Sequence, residues 1–182
     1  MRAGTTLRAV IMADLREQAV GRRNGALLEL FTVKGLAVLL HRVAHHLGGR
    51  TPLLGHMVKQ LNHVLTGADI AWQARIGPGL ILYHPTGVVI GPHVSIGARL
   101  RVQQGVTIGG DGGRSAGIDS SPTIGDDVQI GPGAKVFGRI HVGNAAVVGA
   151  NSVVLDSVPP GRTAVGVPAR ILNEKPGGQT QA

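Results

Sequence analysis

From residue 70 onward, one position in six is a branched aliphatic. Ile70, Ile76 and Leu82 set the phase; after two extra residues come Ile90, Ile96, Val102 and Ile108, and after a longer interruption Ile124, Ile130, Val136, Val142, Val148 and Val154. Glycine follows directly at 77, 91, 97, 109, 125, 131, 143 and 149, and the position four beyond the aliphatic is small or aliphatic, as at Ala74, Val94, Val128, Ala134 and Ala146. Helices repeat every 3.6 residues and strands every 2, so neither gives this phase. A six-residue period predicts that each hexad is one flat face of a coil, its aliphatic pointing inward and its glycine easing the corner, with three hexads to a coil. Stacked coils bury the aliphatic column. The pattern therefore predicts an all-β solenoid, a parallel β-helix over residues 67–172, and no ordinary sandwich would hold the phase for so long.

The first third follows a different rule. Leu27, Leu28, Leu30, Phe31, Val33, Leu36, Val38, Leu39, Leu40, Val43, Ala44 and Leu47 recur at helical spacing, and Gly48–Gly49 followed by Thr51–Pro52 ends that segment and starts another. The next stretch, Leu53 to Leu65, carries Leu54, Met57, Val58, Leu61, Val64 and Leu65 on one face and stops at Gly67. Residues 1–66 thus read as a short α-helical region, less periodic over 1–24. A tail follows the solenoid at 173–182.

Composition narrows the picture. The 182 residues include no Cys and only four aromatics, Phe31, Trp72, Tyr83 and Phe137, so disulfides, thiolate metal sites and Cys nucleophiles are excluded and the core is aliphatic. No apolar run approaches the roughly 18 residues of a membrane span, and the first 30 residues are charged and carry no signal-like apolar stretch, which predicts a cytoplasmic protein without membrane contact. The formal net charge of +8 is concentrated N-terminally: residues 1–65 hold nine of the 18 bases and three of the 10 acids. These bases form no block longer than two and interleave with no aromatics, so nucleic acid is not the expected partner; an anionic small molecule accounts for the charge as well.

Five stretches carry a resemblance: Thr66–Gly67–Ala68–Asp69–Ile70; Leu82 to Gly91, with its His84-Pro85-Thr86-Gly87-Val88-Val89 motif; Gln104 to Gly110, with Val106-Thr107-Ile108-Gly109-Gly110; Ile130 to Val136; and Ala164 to Arg170. Together, from about Leu36 to Leu172, they resemble the serine acetyltransferases of the hexapeptide-repeat acyltransferases. The resemblance implies a left-handed coil, acetyl transfer from acetyl-CoA or another acyl-CoA to an acceptor hydroxyl with no permanently bound cofactor, and a homotrimer with active sites between subunits, the N-terminal helices serving assembly. A non-catalytic β-helical scaffold is the rival from another class.

Chemistry agrees with that implication. A hydroxyl attacking a thioester needs a base, and imidazole suits that task near neutral pH. With no Cys and no Ser in a nucleophile-elbow setting, direct transfer without an acyl-enzyme is the simpler route. Of the eight histidines, five lie in the helical third; His84, His93 and His141 fall at three different phases of the coil, which argues against a three-His metal site. His84 precedes the two-residue slip at Val88–Val89, where the coil must bulge. Read alone it is a surface histidine at a corner; the resemblance makes it the catalytic base. Asp69 matches the partner carboxylate that would orient it, and a capping role after Gly67 is the alternative. Gly110, Gly131, Pro132, Gly149 and Ala150 match positions lining CoA, and Arg162 and Arg170 are the bases nearest in sequence for its phosphates. Tyr83, Ser120 and Ser121 stand at acceptor-pocket positions where the family carries charged groups. That substitution leaves open whether the acceptor is serine or another, less zwitterionic hydroxyl or amine compound.

Overall fold

The computed structural model describes residues 6–19, 28–110, 112 and 120–172. The predicted tail, residues 20–27 and most of the loop after Gly110 lie outside them. Among these residues three α-helices and a 3-10 turn precede fifteen short strands: α1 (Leu7–Gln18), the turn Glu29–Phe31, α2 (Val33–Gly48), α3 (Pro52–Thr66), and then two- to four-residue strands from β1 (Asp69–Ile70) to β15 (Ala169–Leu172).

The hexads become strands that stack into three parallel sheets. Sheet A runs β1, β4 (Val89–Ile90), β7 (Thr107–Gly109), β10 (Lys135–Phe137), β13 (Val153–Val154); sheet B runs β2 (Arg75–Ile76), β5 (Ser95–Ile96), β8 (Thr123–Ile124), β11 (His141–Val142); sheet C runs β3 (Ile81–Leu82), β6 (Arg101–Val102), β9 (Gln129–Ile130), β12 (Val147–Val148), β14 (Thr163–Gly166), with β15 added antiparallel. Twelve of the thirteen hexad aliphatics from Ile70 to Val154 are at most 3% exposed and Ile96 is 6% exposed, so the column read from the sequence is the core. The slip after His84 is visible in the register. Asp69 pairs with Val89, two residues further on than a regular coil, whereas Val89 pairs with Thr107 at the regular spacing.

The corners stack as well as the faces. Where the chain turns from sheet C to sheet A, the N–H of Gly87 donates to Gly67 O (2.9 Å), Gly105 to Thr86 O (3.0 Å), Gly133 to Gln104 O (2.8 Å) and Asn151 to Pro132 O (2.8 Å). Each of these turning residues has a positive φ, near 70° at Gly87, Gly105 and Gly133, a region costly for a residue with a Cβ. This ladder is the CA edge; the corner from sheet A to sheet B is the AB edge.

The helices cover the first coil. Asp14 on α1 and Arg42 on α2 form a buried bidentate pair (2.8 and 3.0 Å); the carboxylate also accepts from the N–H groups of Gly79 (2.8 Å) and Leu80 (2.9 Å), and the guanidinium donates to Ile76 O (2.6 Å) and Gly77 O (2.7 Å). Every charge here has its partners, which is what a buried pair requires. Helices α2 and α3 cross at Gly48 and Gly55: a Cβ on Gly55 would lie 2.6 Å from Gly48 Cα, and one on Gly48 would lie 2.3 Å from the Trp72 ring.

Two features differ from the sequence reading. The apolar stripe starting at Leu27 is broken at Thr32, whose hydroxyl accepts from Gly35 N (3.1 Å) and donates to Glu29 O (2.8 Å); α2 begins only after it, because Gly35 passes so close to Glu29 O that a Cβ there would lie 1.7 Å away. The apolar face of α3 also points outward. Its buried residues are Gly55, Asn62 and Thr66, while Leu53, Leu54, Met57, Leu61, Val64 and Leu65 are exposed.

Candidate active site

His84 lies in the CA corner between β3 and β4, exposed, with no hydrogen bond or ion pair among the described residues. The corner is fixed beneath it: Val88 N donates to Pro85 O (3.0 Å), Gly87 N to Gly67 O (2.9 Å) and Asp69 N to Val88 O (2.8 Å). Above it on the same edge stack Gln104–Gly105, then Gly131–Pro132–Gly133, then Gly149–Ala150–Asn151. Four of the predicted CoA-lining residues, Gly131, Pro132, Gly149 and Ala150, thus share one edge with the predicted base. The lack of side chains there is structural as well: a Cβ on Gly131 would lie 2.8 Å from Ala150 N.

Arg170 belongs to this edge. On β15 it pairs with Val165, whose Cγ1 lies at Gly149. Arg162 stands apart, just before the start of β14 and thus at the strand's opposite end from the CA edge.

Gly110, Ser120 and Ser121 meet one another on the AB edge. A Cβ on Gly110 would lie 2.9 Å from Ser120 Oγ and 3.5 Å from Ser121 Oγ. Sheet A separates this cluster from His84, so a single chain holds the sequence-matched residues as two groups on two edges.

Asp69 lies one coil below His84, and its carboxylate caps no helix. Oδ1 accepts from Lys59 Nζ on α3 at 2.5 Å, and no hydrogen bond joins it to the His84 ring. The pair lines a cleft of about 310 Å³ between α3 and sheet A, with His56, Trp72, Val89 and Pro92. Sequence spacing gave no sign of Lys59, which reaches Asp69 only because Gly48 and Gly55 let the helices settle against Trp72.

Tyr83, next to His84, turns toward sheet C. It is 47% exposed and walls a cavity of about 440 Å³ between α1 and sheet C, together with Glu17, Gln18, Lys34, Arg101 and Gln129. None of these five was singled out by the sequence, because they come from four separate elements. Among the described residues no group of three or more His, Asp or Glu side chains could hold a metal ion, and no helix is long and apolar enough to cross a membrane.

A three-sheet parallel β-helix with an exposed histidine at the foot of a small-residue edge defines a class, the hexapeptide-repeat transferases. Residues 121–156 match the family described as bacterial transferase hexapeptide (six repeats). The chain is 39% identical over 166 residues to the serine acetyltransferase of Synechococcus elongatus, covering 89% of this chain and 67% of that protein. Soybean serine acetyltransferase complexed with serine superposes with a TM-score of 0.83 at 40% identity, over 91% of this chain and 69% of that one. A serine acetyltransferase in complex with CoA superposes with a TM-score of 0.81 at 34% identity, over 91% and 69%. The chain belongs to the serine acetyltransferase family and is an acyltransferase.

Proposed function

We propose that the protein transfers the acetyl group of acetyl-CoA to the hydroxyl of serine, directly and without an acyl-enzyme. The observation that carries the proposal is the exposed His84 on the same edge as Gly131–Pro132 and Gly149–Ala150, a backbone track that a pantetheine arm can approach closely. His84 takes the hydroxyl proton as the serine oxygen attacks the thioester carbonyl carbon. The tetrahedral intermediate then expels the CoA thiolate, which recovers the proton from the imidazolium. Asp69 orients the imidazole and stabilises its charged form, with Lys59 holding the carboxylate from the other side. Arg170 meets the CoA phosphates at this edge, and Arg162, before the start of β14, is the second base for them.

The domain reading accompanies this: a helical region over 1–66, a left-handed β-helix over 67–172 and a tail beyond. The working unit is a homotrimer, in which the AB edge of one subunit, with Gly110, Ser120 and Ser121, closes over the CA edge of the next. Six large apolar side chains left exposed on α3 support assembly through the helical region as well. A second reading, transfer to another hydroxyl or an amine acceptor, is favoured by the uncharged Tyr83, Ser120 and Ser121.

Thiol release from acetyl-CoA, followed with L-serine beside sugars, amines and other hydroxyl compounds, decides between these readings. Saturable turnover with L-serine, lowered in Asp69→Asn through kcat with the acetyl-CoA KM unchanged, is the expected result. Turnover confined to an acceptor that is not an amino acid would replace serine by that acceptor, and no thiol release with any of them would leave a non-catalytic scaffold.

A further inference from the structure

A base serves only one half of an acyl transfer. As the acceptor oxygen attacks, the thioester carbonyl oxygen takes on negative charge, and a donor already fixed at that oxygen lowers the barrier more than a group that merely binds the substrate. His84 and Asp69 act on the other side, at the proton. The register of sheet A brings a donor to the same edge. Asp69, Val89, Thr107, Lys135 and Val153 pair in succession, so they form one outward column beside the CA corner. Lys135 is half-buried, and its Nζ reaches down one coil to donate to Gly105 O (2.6 Å) and Thr107 Oγ1 (3.1 Å). Gly105 is the corner residue stacked on Thr86, which lies two residues past His84. The ammonium therefore stands about one strand spacing, roughly 4.8 Å, above the His84 corner. Among the described residues its third N–H has no partner and no carboxylate pairs with it. Between the Asp69 carboxylate low on this column and the ammonium at Thr107 lies only Val89, 37% exposed.

We propose that Lys135 is the oxyanion donor of the transfer. A pantetheine arm descending past Gly149–Ala150 and Gly131–Pro132 meets Gly105 last before His84, so its thioester comes to rest over Val89 and Thr107, with the ammonium above it. The serine oxygen bonds to the carbonyl carbon as its proton passes to His84. The carbonyl π pair moves onto the oxygen, which accepts the third N–H of Lys135 at charge-assisted strength. When that pair returns, the C–S bond breaks and the CoA thiolate takes the proton from the imidazolium. Lys135 releases no proton at any point. The bonds to Gly105 and Thr107 hold Nζ in place before the charge appears, and the neutral carbonyl gains far less from the same contact than the oxyanion does. The ammonium thus acts on turnover rather than on acetyl-CoA binding. The inference rests on the reading of the chain as an acetyl-CoA-dependent transferase to serine and deepens it by naming the residue that answers the thioester.

Two variants separate this role from that of a clamp on the corner. Lys135→Met removes the ammonium and should lower kcat with L-serine about 10²- to 10³-fold at an unchanged acetyl-CoA KM. Lys135→Gln keeps an N–H for Gly105 O without the charge, and should not recover the loss. Calorimetry with carboxymethyl-CoA, whose carboxylate sets negative oxygens beside the sulfur, supplies a readout that a clamp would not move. Wild type should bind it about 10-fold tighter than CoA, and both variants should lose that preference while binding CoA as wild type does, which also reports that they are folded. Full kcat in Lys135→Met, or a preference that is absent from wild type or survives in the variants, would overturn the oxyanion role and leave serine acetylation standing. An equal loss of affinity for CoA and carboxymethyl-CoA would overturn it too, and mark Lys135 as a clamp. No thiol release by wild type with any acceptor would overturn both readings.

Discussion

The helical cap and the coil are stabilised in opposite ways. In the coil, thirteen aliphatics of nearly interchangeable kind make the same contact again and again, and each corner repeats the hydrogen bond of the corner below. In the cap, placement depends on contacts that occur once: the Asp14–Arg42 pair bonded to the first coil, and the glycine crossing of α2 and α3 over Trp72. Repetition spreads stability over many small terms. Unique contacts concentrate it, and they decide where α1 and α3 stand relative to the edges. The candidate site sits where the two regimes meet, with His84 and Asp69 on the coil and Lys59 supplied by the cap.

The largest expected effect belongs to a residue that supports neither regime. His84→Ala should lower acetyl transfer about 10²- to 10⁴-fold, with thermal stability and CoA binding unchanged, because the side chain is exposed and bonded to none of the described residues. Steady-state kinetics with calorimetric CoA binding check both halves. Next comes the cap's buried pair. Asp14→Ala leaves the Arg42 guanidinium buried without its counter-charge and should cost about 3–5 kcal/mol in urea unfolding. The coil should answer more mildly to a comparable local insult. Ile130→Val removes one methylene from a column of thirteen and should cost about 0.5–1.5 kcal/mol; a loss as large as that of Asp14→Ala would erase the contrast.

The smallest effect concerns acid. His41 on α2 is buried with neither ring nitrogen bonded among the described residues, and burial, followed by the neighbouring charges of Arg42 and His45, holds its pKa well below the ordinary 6.5. The folded protein keeps it neutral while the unfolded chain binds a proton below pH 6.5. Its contribution is therefore intact above that value and lost progressively as pH falls beneath it, by at most about 1.4 kcal/mol per pH unit. Unfolding curves between pH 7 and 5 should show the slope in wild type and a flatter one in His41→Leu.

The same division explains what the sequence made legible. A fixed six-residue phase is a one-dimensional signal, so the coil, its core and the bulge after His84 could be read from spacing alone, and the small-residue column at 131–132 and 149–150 with them. The cap depends on pairs far apart in the chain. Nothing local ties Asp14 to Arg42 and Gly79, or Lys59 to Asp69, and the outward turn of the α3 stripe follows from glycines that bring its bare side inward. The cavity with Gln18 and Arg101 escaped notice for the same reason, since Arg101 occupies an ordinary outward hexad position.

The proposed reaction needs the CA edge of one subunit and the AB edge of another. It is tested most directly by mixing two inactive proteins. His84→Ala disables the CA edge, and Gly110→Trp fills the AB edge beside Ser120 and Ser121. Each should be inactive alone. Co-expressed and assembled at random in trimers, they should form sites with both edges intact in about a quarter of cases, so about a quarter of wild-type acetyl transfer to L-serine should return. Mixed assemblies that stay as inactive as their parents would contradict the claim and confine the site to a single chain.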